Sequence, residues 1–205
     1  MHIRDLFVQL ICMKEKTRCN ILNVARNLFA SKGIGKTTML DVAHASGLGR
    51  RTLYMYYKTR DDLYKAVVKS EIEIIISRLQ KVMKTNISPD KKLLRFVTVR
   101  MQALEELVKR NRSIRSDFLN DQPRIEEMRK ELDIQEKAYM AEILREGNNS
   151  GTFRVENPDI TAAIAHTTIK GFEPAFIRDN FGAKYQTTLN LCVKILFQGI
   201  KPQTR

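Results

Sequence analysis

Apolar residues recur along this chain at intervals of three and four, the period of α-helices packed on one side. Between Thr17 and Lys32, Ile21, Leu22, Ala25, Leu28 and Phe29 share one face, opposite Arg18, Asn23, Arg26 and Asn27. Gly33 and Gly35 end that run. Thr38-Met39-Leu40-Asp41 has the form of a capping box, a threonine N-cap with a carboxylate three residues on, and opens a helix to about Ala45. Gly47 supplies the left-handed residue that a tight helix–helix turn requires, Leu48 plugs the turn into the core, and Gly49 is the next N-cap. The following helix, Arg50 to about Tyr57, buries Leu53 and turns Arg50, Arg51, Thr52 and Tyr56 to solvent. Met55 reads as a cover for the turn.

A second capping box, Thr59 to Asp62, opens a long helix to about Thr85 with Tyr64, Val68, Ile72, Ile75, Leu79 and Val82 as its stripe. Ser88-Pro89-Asp90 starts another, to about Arg110, followed by a short segment from Ser113 to Asn120. Pro123 opens a helix to about Glu146, where Gly147-Asn148-Asn149-Ser150-Gly151 reads as the clearest flexible loop in the chain. Asn157-Pro158-Asp159 starts a helix to about Arg178, kinked by Gly171 and Pro174, and the last helix runs from about Lys184 to Gly199. The pattern predicts an all-α protein of about nine helices, with no convincing strand and no repeat. Residues 1–62 form the first domain, with the helix pair at about 38–57, and residues 63–205 form a larger helical one. Residues 1–12 are a candidate extension or a short extra helix, because Met13 begins an alternative start.

Charge sharpens this picture. The formal net charge is +13, and between residues 14 and 60 ten Lys or Arg stand against Glu15 and Asp41, a local +8. A polyanionic partner fits that concentration, and a basic solvated surface is the bland alternative. Cys12, Cys19 and Cys192 lack metal or redox spacing and suit a reducing, cytoplasmic compartment. No apolar run approaches the roughly 20 residues needed to span a bilayer, and no signal peptide is evident.

The ordered set Ile21-Leu22, Ala25, Leu28-Phe29, Gly33, Thr37-Thr38, Asp41-Val42-Ala43, Gly47, Thr52-Leu53-Tyr54, Tyr56-Tyr57-Lys58-Thr59-Arg60 and Asp62-Leu63 resembles the tetracycline-repressor (TetR/AcrR) family of bacterial transcriptional regulators. The resemblance covers about a quarter of the chain. Ile34, Gly49, Arg51 and Arg60 depart from the family pattern. Beyond residue 65 it is one of layout, and it implies a C-terminal helical domain for ligand binding and dimerisation. A repressor released from a palindromic operator by a small molecule, and a homodimer formed through the last two helices, are what the resemblance implies. Ala162, Ala163, Gly171, Leu189, Cys192 and Leu196 suit close packing there.

Within that frame, Arg50 and Thr52 are placed to reach base edges near the start of the recognition helix. Tyr54 and Tyr56 offer hydroxyls to phosphates, as their family counterparts do. Thr37, Thr38, Gly49, Lys58 and Arg60 complete the expected double-stranded DNA contact set, with Thr38 and the helix start after Thr59 suited to an anion. Arg51 has three open readings: a base contact, a phosphate contact, or a side chain turned away. Met101, Phe118, Tyr139, His166 and Phe172 are candidate pocket residues, against the plainer reading that they are core.

The rival classes are a basic helical protein binding DNA or membranes without sequence preference, and a helical enzyme. His2, His44 and His166 fit no triad spacing, no glycine-rich phosphate loop occurs, and no carboxylate–histidine cluster suggests a metal. The expectation is therefore no catalytic site, no metal and no cofactor. The sequence leaves the sign of regulation open.

Overall fold

In a computed structural model, which describes residues 3–182 and 184–201, the chain forms nine α-helices and one 3-10 turn among the described residues. The helices are α1 (Ile3–Lys32), α2 (Met39–Ala45), α3 (Arg50–Tyr56), α4 (Arg60–Met83), α5 (Pro89–Arg110), α6 (Arg112–Asn120), α7 (Gln122–Asn149), α8 (Pro158–Arg178) and α9 (Lys184–Ile200). The all-α expectation holds. The candidate extension is not a separate helix: from Ile3 on it is continuous with α1, which makes that helix 30 residues long.

The chain divides into two compact units, one of residues 1–71 with 110–114, the other of 72–109 with 115–205. The functional boundary expected at 62/63 and this structural division are different cuts, because the first turns of α4 pack with α1. In the first unit, Ile21, Ala25, Phe29, Leu53, Leu63, Tyr64 and Val67 have no exposed surface. Phe29 and Tyr64 meet edge to face, centroids 5.5 Å apart.

Segment 110–114 joins this unit through bonds that periodicity does not reveal. The Ser113 hydroxyl accepts from the Ile34 N–H at 3.0 Å, satisfying a donor just past the end of α1, and donates at 2.9 Å to the Phe29 carbonyl, which also takes the Gly33 N–H. The buried Glu71 carboxylate pairs with Arg26 at 2.5 Å and also with Arg110. Three helices are thereby tied at one acid.

In the second unit, α7 and α8 run antiparallel as its most extensive packed pair, since pairings of rising number on α7 meet falling numbers on α8. The expected flexible loop after Glu146 is instead a built turn. Helix α7 continues to Asn149 because the Phe153 ring lies on Gly147, where a Cβ would fall 2.0 Å from the ring. Asn148 then pairs both ways with Val155, accepting its N–H at 3.0 Å and donating to its carbonyl at 2.7 Å. A glycine that reads as a stop is here a contact surface.

Candidate DNA-binding surface and C-terminal cleft

Both capping boxes form. The Thr38 N–H donates to the Asp41 carboxylate at 2.8 Å and the Asp41 N–H to the Thr38 hydroxyl at 3.1 Å, with Thr59 and Asp62 repeating the exchange at 3.1 and 3.0 Å. The Thr38 backbone and hydroxyl bonds hold the Asp41 carboxyl below its ordinary value. Between α2 and α3 the chain turns at Gly47, φ +68°, where Leu48 N–H returns to the Ala43 carbonyl at 3.0 Å. Asn20 of α1 donates to the Ser46 carbonyl at 3.0 Å and braces that turn from outside.

Helix α3 buries Leu53 alone. Arg50, Arg51 and Tyr54 are exposed, and Thr52 and Tyr56 are half-buried. At about 100° per residue, Arg51 and Met55 stand some 160° round the helix from Leu53, one turn apart. Arg51 therefore points away from the core. Met55 is 80% exposed, contrary to its reading as a cover for the turn. An apolar side chain held outward on the presented face was a signal in the sequence that went unused.

The remaining expected contacts divide. Gly49 and Lys58 are exposed. Thr38 is exposed, and its hydroxyl is engaged with Asp41 at 2.8 Å. Arg60 is exposed but donates to the Gly35 carbonyl at 3.2 Å, clasping the loop before α2. Thr37 leaves the set: it is fully buried, and its hydroxyl donates to the Gly33 carbonyl at 2.9 Å. The threonine pair looked uniform in sequence, yet only the second emerges.

The second unit holds its charges inside. Arg100 of α5 pairs with Glu136 at 3.0 Å and with Glu173. Arg129 pairs with Asp133 at 2.9 Å and takes Glu173 through both terminal nitrogens, one at 3.3 Å. His166 Nε2 lies 3.0 Å from Glu136, and Lys170 donates to Asp133 at 2.6 Å and to Glu126. Burial alone raises the Glu136 carboxyl pKa, but Arg100, the His166 hydrogen bond and Arg129 outweigh it and bring the value down to about 2. Asp133, Glu136 and His166 bring donor atoms within 4.8 Å of one another, the carboxylate–histidine cluster that the sequence reading did not find. Both carboxylates are already claimed by arginine or lysine, so the trio is the middle of an ion network and not an open chelate.

This network walls a cleft of about 440 Å³ between α7 and α8, closed at one end by Phe118. Of the five candidate pocket residues, Phe118 and His166 line it. Three do not. Met101 is fully buried core, Tyr139 sets its edge against Phe96 at 6.3 Å, and Phe172 stacks on Phe176 at 5.8 Å. The lining sequence reasoning missed is polar: Arg129, Asp133, Lys137, Lys170 and Glu173.

Comparison with known proteins falls on the same elements. The sequence pattern of the bacterial regulatory proteins of the tetR family matches residues 21–67, from the core of α1 through the start of α4. The chain is similar to the HTH-type transcriptional repressor KstR2 of Mycolicibacterium smegmatis, 25% identical over 158 residues, covering 75% of this chain and 74% of that one. A transcriptional regulator from Cytophaga hutchinsonii shares the fold, with a TM-score of 0.76 at 20% identity, over 89% of this chain and 97% of the other. A regulator from Saccharomonospora viridis in complex with choline does so too, with a TM-score of 0.70 at 16% identity, over 92% and 100%. The helix pair that presents α3 falls within the matched tetR-family region, and the whole chain shares the fold of solved regulators: it is a sequence-specific DNA-binding transcriptional regulator of the TetR/AcrR type.

Proposed function

We infer that the protein is a homodimeric repressor that leaves a palindromic operator when a small molecule occupies the cleft between α7 and α8. The observation that carries the reading is α3 itself, whose one buried residue leaves Arg50, Arg51, Tyr54 and Met55 outward in the most basic stretch of the chain. Arg50 and Thr52 read base edges, Arg51 and Met55 form the ridge that enters the major groove, and Met55 packs on thymine methyl groups. Tyr54, Tyr56 and Lys58 hold phosphates, and Arg60 acts by fixing the loop ahead of α2. Such a protein works where the chromosome is, in the cytoplasm, and no helix among the described residues is long and apolar enough to cross a membrane.

Dimerisation through α8 and α9 has support in exposed apolar residues one turn apart: Ile160 and Ile164 on α8, each 59% exposed, and Leu191 and Ile195 on α9, at 54% and 67%. The small and apolar residues expected on that surface are mostly elsewhere. Ala162, Leu189 and Cys192 are buried within the protomer, and Gly171 lines the cleft. An apolar stripe says that a helix packs, not whether the partner is its own chain. A two-fold dimer would present two copies of α3 to half-sites one helical turn apart or a multiple of it.

Effector control is drawn from the cleft and from the choline-bound fold relative. A 100-fold release needs a coupling free energy of about 2.7 kcal/mol, within the usual allosteric range. The test is a footprint on DNA upstream of this gene and its divergent neighbour, with and without candidate small molecules, beside light scattering for the dimer. A protected inverted repeat, lost on adding one compound, is the expected result. A protein that protects no site, or that stays monomeric when bound, contradicts the reading.

A further inference from the structure

We propose that the α7–α8 cleft takes a monoanionic carboxylate with an aryl or short alkyl body, its head group held by Lys137 with Thr167 and His166 beside it. The proposal rests on the effector reading above and names the chemistry of that site.

Most charged groups of the lining already have partners. Along α7, Glu126, Arg129, Asp133 and Lys137 face the cleft over a span of about 16 Å. Three of them are already engaged. Asp133 holds Arg129 and Lys170, Glu126 holds Lys170, and Arg129 is divided between Asp133 and Glu173 with Phe118 5.9 Å beyond it. Lys137 is different: it is half-buried in the lining and has no carboxylate partner among the described residues.

Across from it, His166 is 6% exposed, and its Nε2 is bound to Glu136. No described residue bonds its Nδ1, although the ring lines the cleft. Thr167 adds an exposed hydroxyl at the same end. An uncompensated cation, a free ring nitrogen and a free hydroxyl call for an anionic group with hydrogen-bonding capacity around it.

Pairing narrows the class further. Arg100, Arg129 and Lys170 are engaged by Asp133, Glu136, Glu173 and the half-exposed Glu126. Lys137 is the one lysine or arginine of the lining without an ion pair among the described residues, and it can meet one negative charge. A dianionic phosphate would bring a second charge beside acids that have none to spare, at a desolvation penalty nothing there offsets. Because the helices are antiparallel, the far end of the cleft is formed by Phe118, Ile125 and Pro174, an apolar seat for the body of the ligand.

The experiment is calorimetry and saturation-transfer NMR on the full chain with 3-phenylpropionate, 5-phenylpentanoate and the uncharged isostere 3-phenylpropionamide. Saturable binding of the acids is expected, with the amide weaker by about tenfold or more. Lys137→Met should bring the acids down to the level of the amide, and Lys91→Met, an exposed lysine outside the cleft, should change nothing. If Lys137→Met melts early, Lys137→Gln serves in its place. Equal binding of acid and amide, an acid preference that survives loss of Lys137, or no saturable binding of either acid at millimolar concentration overturns the proposal. DNA binding by the same preparation separates the two readings. A protein that binds its operator but shows no acid preference loses the carboxylate site alone, and one that prefers acids but binds no operator loses the regulator reading.

Discussion

The two units of this protein use charge in opposite ways. In the first, Arg50, Arg51 and Lys58 are exposed and have no acidic partner among the described residues. In the second, Arg100, Arg129, Glu136 and Glu173 are buried and each is paired, often twice. An exposed, unpaired cation loses little by waiting in water and gains when a phosphate releases its counterions. A buried one is tolerable only with its partners in place, which makes the network a fixed, shape-defining wall. The first arrangement suits a partner from outside, and the second walls a cleft within its own unit.

Breaking the buried side should have the largest effect. Arg129→Met takes one of two cations from Glu173 and from Asp133, leaving Arg100 and Lys170 as their partners, and a stability loss of about 3 kcal/mol is expected in chemical denaturation. Acid should act on the same network. The folded Glu136 carboxyl lies at about 2 against an ordinary 4.5, so its contribution to stability is complete above pH 4.5 and is lost as pH falls toward about 2. Glu136→Gln should flatten that part of the melting-temperature profile. An unchanged profile would mean that the pair with Arg100 adds nothing.

On the exposed side, replacing the cations should hardly move melting while DNA binding changes. Arg50→Ala should weaken binding to the preferred site by about 1–3 kcal/mol and relax the preference at one base position, as read by competition with single-base variants. Indifference to Arg50 would remove it from the base-reading set. Thr38→Ala should lower stability by about 1 kcal/mol through loss of its capping box. The smallest change is expected for Lys58→Ala, whose binding should fall evenly across sequences while the salt slope drops by about one unit.

The exposed arrangement was largely legible in the sequence. Capping boxes, a turn glycine and a 3.6-residue stripe are local signals, and Thr38, Asp41, Gly47, Thr59 and Asp62 behave as those signals imply. Thr37 was misplaced because its burial depends on a carbonyl four residues back, where the 3-10 turn folds over it. The buried arrangement was not legible. Arg100, Glu136 and Glu173 lie on three different helices, and a charged residue on an inward stripe looks like a break in the pattern until its partner is known. Candidates for the pocket were sought among aromatic, methionine and histidine residues, whereas about half of the cleft's wall is ionic. Gly147 misled for the same reason: the ring that needs its missing side chain is six residues on, beyond a turn.

The account stands most directly on whether this protein discriminates between DNA sequences. Selection of bound duplexes from a random pool, followed by anisotropy titrations of the enriched sequence and a shuffled one at rising salt, measures that discrimination. An inverted repeat should emerge, bound at least about 10³-fold more tightly than the shuffled duplex and still preferred as salt weakens both. Equal affinities that fall together with salt, and no enriched motif, would contradict a sequence-specific regulator and leave only a basic protein attracted to any polyanion.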